Sequence, residues 1–551
     1  YYDKNNEIQD DGPDASMHGM HVAGTVGANG DESKGGLKGV APESQILGMK
    51  VFSNDVNFPS TFSDVYLAAI DDAVKLGADV LNMSLGSTSS FYDADSAEDK
   101  AITNAVNNGI VSAVSAGNSG HIGYGYDNPH YDNPDYGLVG SPGLNKDTIQ
   151  VAATGNLVNL FTHKVDFGDF SVEGFGVDDW TDFQEDGDDF EVVSLKKLSG
   201  NSSALGAAAD YEGIDVTGKV VVVERGAYAF ADKTKWAAAA GAAGIIVYNT
   251  SNPVFYKDQG GWDIPFMKIT QEDGAALEAA LATDGEIGAN VEQTNKEEGP
   301  EVGRATDFTS WGVTPDLEFK PELSAPGGNI LSTLENDKYG VMSGTSMAAP
   351  HVAGGAALVQ QYLKNHDEYK NLSVEERTRL AKVLMLNTAD ITHGKSGDTI
   401  SPRRQGAGMM QLNGAVTTPV ILTEKSTNEA KVNIKDFTED SFTFTLTAEN
   451  MSDEAATYSV DTSVLVDMFQ EEGDVTSNLL KSGALQGAKV TAPETVTVPA
   501  NGTTDVTITI DISEGQVPGL DKDGKEITKA LEEAGYIRWE GGKYELTPRG
   551  M

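Results

Sequence analysis

The sequence contains no cysteine, which excludes disulfide bonds and thiolate metal sites. Basic residues are also scarce, because 39 Lys and Arg stand against 84 Asp and Glu and give a formal net charge of −45. A surface of this sign repels phosphate groups. We therefore expect no nucleic acid and no anionic membrane among the partners.

Long apolar runs are missing as well. The longest, residues 236–248, is too short and too rich in Ala and Gly to span a bilayer, so we expect no membrane insertion of this segment. The first residue is Tyr1, and "YYDKNN" is typical of an internal segment of a longer chain. We expect a longer protein whose signal and anchor lie outside these 551 residues, a length that suits about three to four domains.

Residues 1–155 alternate short apolar runs with amphipathic patterns. The runs at 44–52, 78–86 and 109–118 predict buried strands, and the patterns at 62–77 and 95–109 predict helices. Strands that are apolar throughout and alternate with helices indicate a parallel α/β sheet. The same pattern resumes at 304–418, so the predicted α/β domain is discontinuous.

The interruption at residues 156–303 predicts an inserted domain with its own core. Within it, 218–226 and 245–250 predict strands and 230–244 predicts a helix. The acidic stretch 177–191 is consistent with a solvated loop or with a calcium site, and both alternatives stay open.

A change to period-two patterning marks the last part of the chain. Residues 419–525 carry short alternating strands with Asn-Gly and Pro breaks, which predict a β-sandwich. Residues 526–551 are left unassigned, with a predicted helix followed by a hairpin around Gly541–Gly542.

Three short segments carry residues suited to nucleophilic chemistry. "MHGMHVAGTVGANG" (17–30) opens a small-residue helix with His18 and places His21 one turn later, "SAVSAGNSG" (112–120) ends a strand at Asn118, and "MSGTSMAAPHVAG" (342–354) places Ser346 at a helix start. Each alone has an ordinary explanation: a core histidine, a turn asparagine, a helix cap. A serine nucleophile needs both a base and oxyanion donors.

Taken together and in this order, the blocks "HGMHVAGTVGA", "VLNMSLG", "SAGN" and "GTSMAAPHVAGG" resemble the subtilisin-like serine proteases. The resemblance implies a doubly wound parallel sheet and an endopeptidase acting on proteins or peptides through an acyl-enzyme. His18 would be the general base, Ser346 the nucleophile and Asn118 an oxyanion donor. It also implies main-chain pairing of the substrate with two segments: Ser84, Leu85 and Gly86, and Ser115, Ala116 and Gly117.

The order of domains narrows the resemblance to bacterial cell-envelope proteinases of the lactocepin-like and C5a-peptidase-like kinds. It implies that the insert is a protease-associated (PA) domain and that the sandwich is fibronectin type III-like. An extracellular location, secreted or attached to the cell wall, would follow. No redox or organic cofactor is required, and a structural calcium ion is compatible at a site that the sequence does not indicate.

The aspartate of the catalytic triad has no match in the chain. Subtilisin-like enzymes place it before the histidine, yet Asp3, Asp10, Asp11 and Asp14 lie in a polar segment without an apolar strand. We expect the aspartate outside this chain and poor activity of the chain alone; substitution by one of these acids is the alternative. A rival hypothesis is a non-catalytic surface adhesion protein that uses a protease scaffold.

Overall fold

The computed structural model describes residues 1–551 except for positions 5–7, 9–16, 35, 56–59, 89, 121–137, 157–158, 177–179, 181–189, 227, 229, 251–263, 299–302, 336–337, 394–398, 436, 438, 473–474, 535–536, 541–542 and 547–551. The chain forms two compact units. One comprises Tyr1–Gly155, Gly303–Asp337 and Ser343–Met551, and the other comprises Asn156–Val302 and Lys338–Met342.

The first part of the chain contains the two helices and the two strands that the patterns predict between residues 62 and 118, together with a helix before them and a strand after them. The elements are α1 (His18–Gly27), α2 (Ser63–Leu76), β1 (Val80–Met83), α3 (Ala97–Asn107), β2 (Val111–Ser115) and β3 (Ile149–Gly155). Local chemistry sets the ends of these helices. The Ser96 hydroxyl accepts the Asp99 N–H to cap α3, and Gly77 ends α2 in the left-handed conformation.

The strand predicted at 44–52 is wrong. These residues form no strand in the described part of the chain, and Ile46 and Leu47 are each 43% exposed. An apolar run indicates only that a segment can be buried; a strand also requires a hydrogen-bonded neighbour.

The second unit is built around a sheet that closes on itself in the order β10-β4-β5-β9-β8-β7-β6. Its elements are β4 (Asn159–Asp166), β5 (Ser171–Gly176), β6 (Phe190–Ser194), α4 (Leu195–Ser199), β7 (Val220–Glu224), α5 (Phe230–Ala239), β8 (Gly244–Tyr248), β9 (Phe266–Ile269), α6 (Gln271–Asp284) and β10 (Glu286–Glu298). Val220, Val222 and Ile246 are fully buried within it, so this unit has a core of its own. Most of the acidic stretch 177–191 lies outside the described residues.

The remaining elements ahead of residue 420 are β11 (Leu323–Gly328), β12 (Ile330–Leu334), β13 (Lys338–Met342), α7 (Thr345–Asn365), α8 (Val374–Asn387), α9 (Pro402–Gln405) and α10 (Leu412–Thr417), of which β13 belongs to the second unit. Strands β1, β2, β3 and β11 pair in that order, all parallel. Along β2, Val111 and Ala113 pack in the cluster that includes α7, while Val114 packs with α2 and α3. Helices thus cover both faces, which confirms the predicted doubly wound parallel sheet.

The chain leaves the α/β sheet and returns to it at one place. The Gly303 N–H donates to Gly155 O at 2.9 Å, and the Gly155 N–H donates to Arg304 O at 2.8 Å. The segment between them therefore starts and ends side by side.

The C-terminal part is a β-sandwich. Its strands are β14 (Val420–Glu424), β15 (Ser441–Asn450), β16 (Ala456–Ser459), β17 (Leu465–Glu472), β18 (Val475–Ala484), β19 (Lys489–Thr491), β20 (Thr495–Val498), β21 (Thr503–Asp511), β22 (Gln516–Leu520) and β23 (Glu526–Ala530), followed by β24 (Ile537–Glu540) and β25 (Lys543–Leu546). The two larger sheets have the orders β14-β15-β21-β19 and β18-β17-β22-β23.

The helix predicted from residue 526 is wrong, and the hairpin after it is confirmed. Residues 526–530 form β23, which pairs antiparallel with β22, and Ile527 packs against the sandwich core. Pairing with a neighbouring strand and burial of one face override the helical propensity of a short segment. Strands β24 and β25 pair across residues 541–542 as the sequence predicts.

Candidate active site

Ser346 is the second residue of helix α7. Gly344 caps this helix, and its N–H donates to Gly327 O at 2.8 Å, which joins the helix start to strand β11. An α-helix offers no internal acceptor to the N–H groups of its first turn, and its dipole favours negative charge there. The Ser346 hydroxyl and N–H therefore lie at a helix end that favours negative charge.

Asn118 is oriented by the residue that precedes Ser346. Its Oδ1 accepts both the Thr345 N–H and the Thr345 hydroxyl, each at 2.9 Å, so its Nδ2 is the group left to donate. This Nδ2 lies 3.3 Å from where a Cβ on Gly344 would stand, which places it beside the start of α7. Gly117 precedes it with φ +108°; its N–H donates to the Thr345 hydroxyl, and its carbonyl accepts the Ser310 N–H.

The role of Thr345 was not predicted from the sequence. Its only signal was its place between Gly344 and Ser346 in the motif. The structure shows that its side chain fixes both the Asn118 amide and the main chain before it.

Ser84 contacts Ser346 directly. The Ser84 hydroxyl donates to Ser346 O at 2.6 Å, and the Ser346 hydroxyl donates to Ser84 O at 3.4 Å. A hydroxyl has one proton, so in this conformation the nucleophile candidate directs its proton to the end of β1.

The other residues predicted to bind substrate lie at the ends of β1 and β2. The Ser115 hydroxyl donates to Leu85 O at 3.3 Å, which ties the two segments together. Ala116 is buried, whereas Gly86 is exposed. Their pairing with a substrate chain stays a prediction.

His18 is the first residue of α1, and the helix is held by its neighbours. The His21 Nε2 donates to Ile330 O at 2.8 Å, and the Ser332 hydroxyl donates to His21 O at 2.8 Å, so His21 is a structural residue that joins α1 to β12. Burial lowers the pKa of His18, which keeps its imidazole neutral near pH 7 and able to accept a proton.

A groove of about 1900 Å³ opens beside His18. Residues 41–55 line one side and residues of 76–85 line the other, with Ile46 and Leu47 turned toward it. Strand β1 is the last strand of the parallel sheet on this side among the described residues, so its outer main-chain groups face the groove.

The acidic residues ahead of His18 are only partly described. Asp3 pairs with the Lys50 ammonium at 3.1 Å, which lowers the pKa of this carboxyl against the effect of burial. Asp10, Asp11 and Asp14 lie outside the described residues. Across the described part of the chain, no group of three His, Asp or Glu side chains is placed to hold a metal ion. No described helix is long and apolar enough to cross a membrane.

Comparison with protein-family models gives two matches. Residues 1–408 match the model described as the subtilase family, and residues 432–542 match an Fn3-like domain. The second match confirms the predicted fibronectin type III-like sandwich.

Similar proteins include the PII-type proteinase of Lactococcus lactis subsp. cremoris, 36% identical over 543 residues that cover 93% of this chain and 28% of the relative. The C5a peptidase of Streptococcus pyogenes serotype M1 is 32% identical, covering 90% of this chain and 41% of the relative. The minor extracellular protease Vpr of Bacillus subtilis is 33% identical, covering 81% of this chain and 51% of the relative. The chain thus spans about half or less of these relatives. Among solved structures, a mutant of the protease domain of PatA aligns at a TM-score of 0.37 and 17% identity, covering 75% of this chain and 83% of that one.

Proposed function

Because this chain belongs to the subtilase family, we propose that it carries the nucleophile, the base and the oxyanion donors of a serine endopeptidase. Ser346 is the nucleophile, His18 the general base and Asn118 an oxyanion donor. One observation carries the proposal: Thr345 occupies the Asn118 Oδ1 and so leaves the Nδ2 to donate beside the start of α7.

The reaction proceeds by acyl transfer. The Ser346 Oγ attacks the peptide carbonyl carbon while the neutral His18 imidazole takes the hydroxyl proton. The Ser346 N–H and the Asn118 Nδ2 stabilise the oxyanion that forms. His18 then gives its proton to the departing amine as the C–N bond breaks, and water hydrolyses the acyl-enzyme by the same route.

The substrate is a protein or peptide bound in extended form. An extended chain adds to the ends of β1 and β2 at residues 84–86 and 115–117, where main-chain hydrogen bonds give affinity without regard to side chain. The names of the relatives, proteinases and peptidases, support this class of substrate, and one of them is named an extracellular protease. We propose the same location for this protein.

Labelling with a fluorophosphonate tests the nucleophile. The full-length protein should react at one serine, and Ser346→Ala should abolish labelling. Ser343→Ala, three residues earlier in the same segment, is the matched control and should still be labelled. Equal labelling of Ser346→Ala would exclude the assignment.

We propose further that the carboxylate of the triad is brought by a β-strand seated in the groove beside His18. The outer edge of β1 supplies main-chain partners, and the exposed Ile46 and Leu47 supply an apolar floor. The strand would add to the parallel sheet and end near His18.

A fused strand tests this proposal. A valine-rich segment ending in Asp, joined ahead of Tyr1, should raise the fluorophosphonate labelling rate of the chain, and the matched segment ending in Asn should not. The Asp and Asn forms should differ by about 10⁴-fold, the effect of the corresponding change in a serine-protease triad. If changing Asp10, Asp11 and Asp14 to Asn removes the labelling of the unextended chain, one of them is the triad member and the proposal fails.

The insert is proposed to be a PA-type module that controls access of substrates. Its separate core and its adjacent ends at Gly155 and Gly303 support a module that was added without disturbing the α/β sheet.

A further inference from the structure

Pro350 leaves one carbonyl of helix α7 without a helical donor. It lies inside the helix, four residues after Ser346, and is buried. In an α-helix the N–H of residue 350 would donate to the carbonyl of residue 346, and proline has no N–H. The carbonyl of the nucleophile candidate therefore needs a donor from another part of the chain.

The donor is the side chain of Ser84. Its hydroxyl gives its proton to Ser346 O at 2.6 Å, and the Asn82 Nδ2 donates to the same hydroxyl oxygen at 3.1 Å. The Ser84 oxygen thus accepts a hydrogen bond from Asn82, which leaves the Ser84 proton directed to the Ser346 carbonyl. Asn82 belongs to β1 and Ser84 follows that strand directly, so the parallel sheet itself sets the position of this donor.

We propose that Ser84 is a positioning residue for the nucleophile. Its hydroxyl replaces the helical N–H that Pro350 lacks and fixes the main chain of Ser346. The position of that main chain sets the direction of the Ser346 Oγ. It also sets the position of the Ser346 N–H, which is proposed to donate to the oxyanion. This inference rests on the proposed function, and it gives the Ser84 side chain a role separate from main-chain pairing with the substrate.

A double-mutant cycle with Pro350 tests the inference. Ser84→Ala should lower kcat about tenfold and leave KM within about twofold, because one hydrogen bond to a fixed carbonyl is lost without a change in substrate pairing. In the Pro350→Ala background the new N–H can donate to Ser346 O. Ser84→Ala should then lower kcat by less than about twofold further.

Matched variants separate this outcome from damage to the fold. Ser87→Ala, three residues later with an exposed hydroxyl against Ser90, should keep the full kcat. Ser84→Cys keeps the shape with a weak donor and should behave as Ser84→Ala does while retaining the melting temperature. All assays use the full-length protein.

The outcomes are distinguishable. A wild-type protein that neither turns over peptide nor reacts with fluorophosphonate contradicts the proposed function. An active wild type with an equal loss from Ser84→Ala in both backgrounds, or a loss confined to KM, overturns the positioning role of Ser84.

Discussion

At the scale of single residues, the proposed oxyanion donor Asn118 is held by Thr345, a residue that has no chemical role in the proposed reaction. Thr345 donates twice to Asn118 Oδ1 and accepts the Gly117 N–H, so one residue links the end of β2 to the start of α7. A donor held in this way is oriented before substrate arrives, which is what makes oxyanion stabilisation effective.

We expect Asn118→Ala in the full-length protein to lower kcat by about 10²–10³ with little change in KM, because the Nδ2 acts on the transition state. Thr345→Val should have a smaller effect in the same direction, since the main-chain N–H still holds the Oδ1. Asn108→Ala, at the exposed end of α3, is the control. Steady-state kinetics decide the matter: an effect on KM alone would assign Asn118 to substrate binding.

A second residue-scale feature is a buried ion cluster around Glu322. The Glu322 carboxylate contacts the ammonium groups of Lys320 at 2.8 Å and of Lys382 and Lys431 at 2.9 Å each. Burial raises the pKa of Glu322, but the three lysines outweigh it and hold that pKa far below its usual range. Burial lowers the pKa of Lys320 to about 7, and the two neighbouring lysines act in the same direction while Glu322 opposes them.

The Lys320 shift predicts a pH dependence of stability. Between about pH 7 and the ordinary lysine pKa near 10.4, the unfolded chain holds a proton that the folded chain has lost, so the free energy of unfolding rises with pH in that window. In urea unfolding, the free energy of unfolding should rise less steeply with pH for Lys320→Met than for the wild type. The exposed Lys522→Met should keep the wild-type slope, and an unchanged slope in Lys320→Met would contradict the shift.

At the scale of elements, the position of His18 is set by the packing of α1 on β12. Gly24 lies at the closest approach, where a Cβ would stand 2.0 Å from the Thr333 hydroxyl oxygen and 2.6 Å from that of Ser332. Both hydroxyls already donate to carbonyls of α1, at Met20 and His21. The helix can therefore approach β12 only with glycine at this point.

We expect Gly24→Ala to destabilise the protein by about 1–3 kcal/mol, the usual cost of overpacking, and to lower kcat because α1 must move and carries His18 with it. Gly19→Ala is the control in the same helix, since nothing lies within 4 Å of its Cβ position. Denaturant unfolding and peptide hydrolysis measure the two effects. If the Gly24→Ala protein is as stable and as active as the Gly19→Ala protein, the side chains of Ser332 and Thr333 can move aside at little cost and the prediction is wrong.

At the scale of the whole molecule, the sandwich is joined to the α/β part by polar contacts of side chains. Arg403 of α9 pairs with the buried Asp467 of β17, and Asn387 of α8 exchanges two hydrogen bonds with the main chain of Leu422 in β14. Lys431 adds its contact with Glu322. The sandwich is therefore part of the same compact unit as the candidate active site.

The insert allows a prediction at this scale. Replacing 156–302 by a short Gly/Ser linker should keep cleavage of a small chromogenic peptide within about tenfold, because Gly155 and Gly303 are already hydrogen-bonded to each other. Cleavage of large protein substrates should change much more, in rate or in the sites chosen. The isolated insert, examined by circular dichroism, serves as the folding control. An equal loss with both kinds of substrate, while the excised insert remains folded, would make the insert a support for the sheet.

The sequence by itself determined the family, the parallel sheet and the sandwich, because these depend on contiguous motifs and on the local period of apolar residues. The motif "GTSMAAPHVAGG" predicts a helix start at Ser346, and helix α7 begins one residue earlier, at Thr345. The sequence-based prediction was wrong for two short segments: residues 44–52 form no strand in the described part of the chain, and residues 526–530 form strand β23 instead of a helix. Propensity cannot show whether a neighbouring strand is present to pair.

The tertiary structure alone decided which side chains hold the candidate catalytic groups. Thr345 meets Asn118 across 227 residues of sequence, and Ser84 meets Ser346 across 262. His21 is also a histidine and lies one turn from His18, but it has a structural role because its Nε2 donates a hydrogen bond to the Ile330 carbonyl. No local pattern encodes such pairs, because each depends on where the sheet brings two distant segments together and on which polar group there lacks a partner of its own.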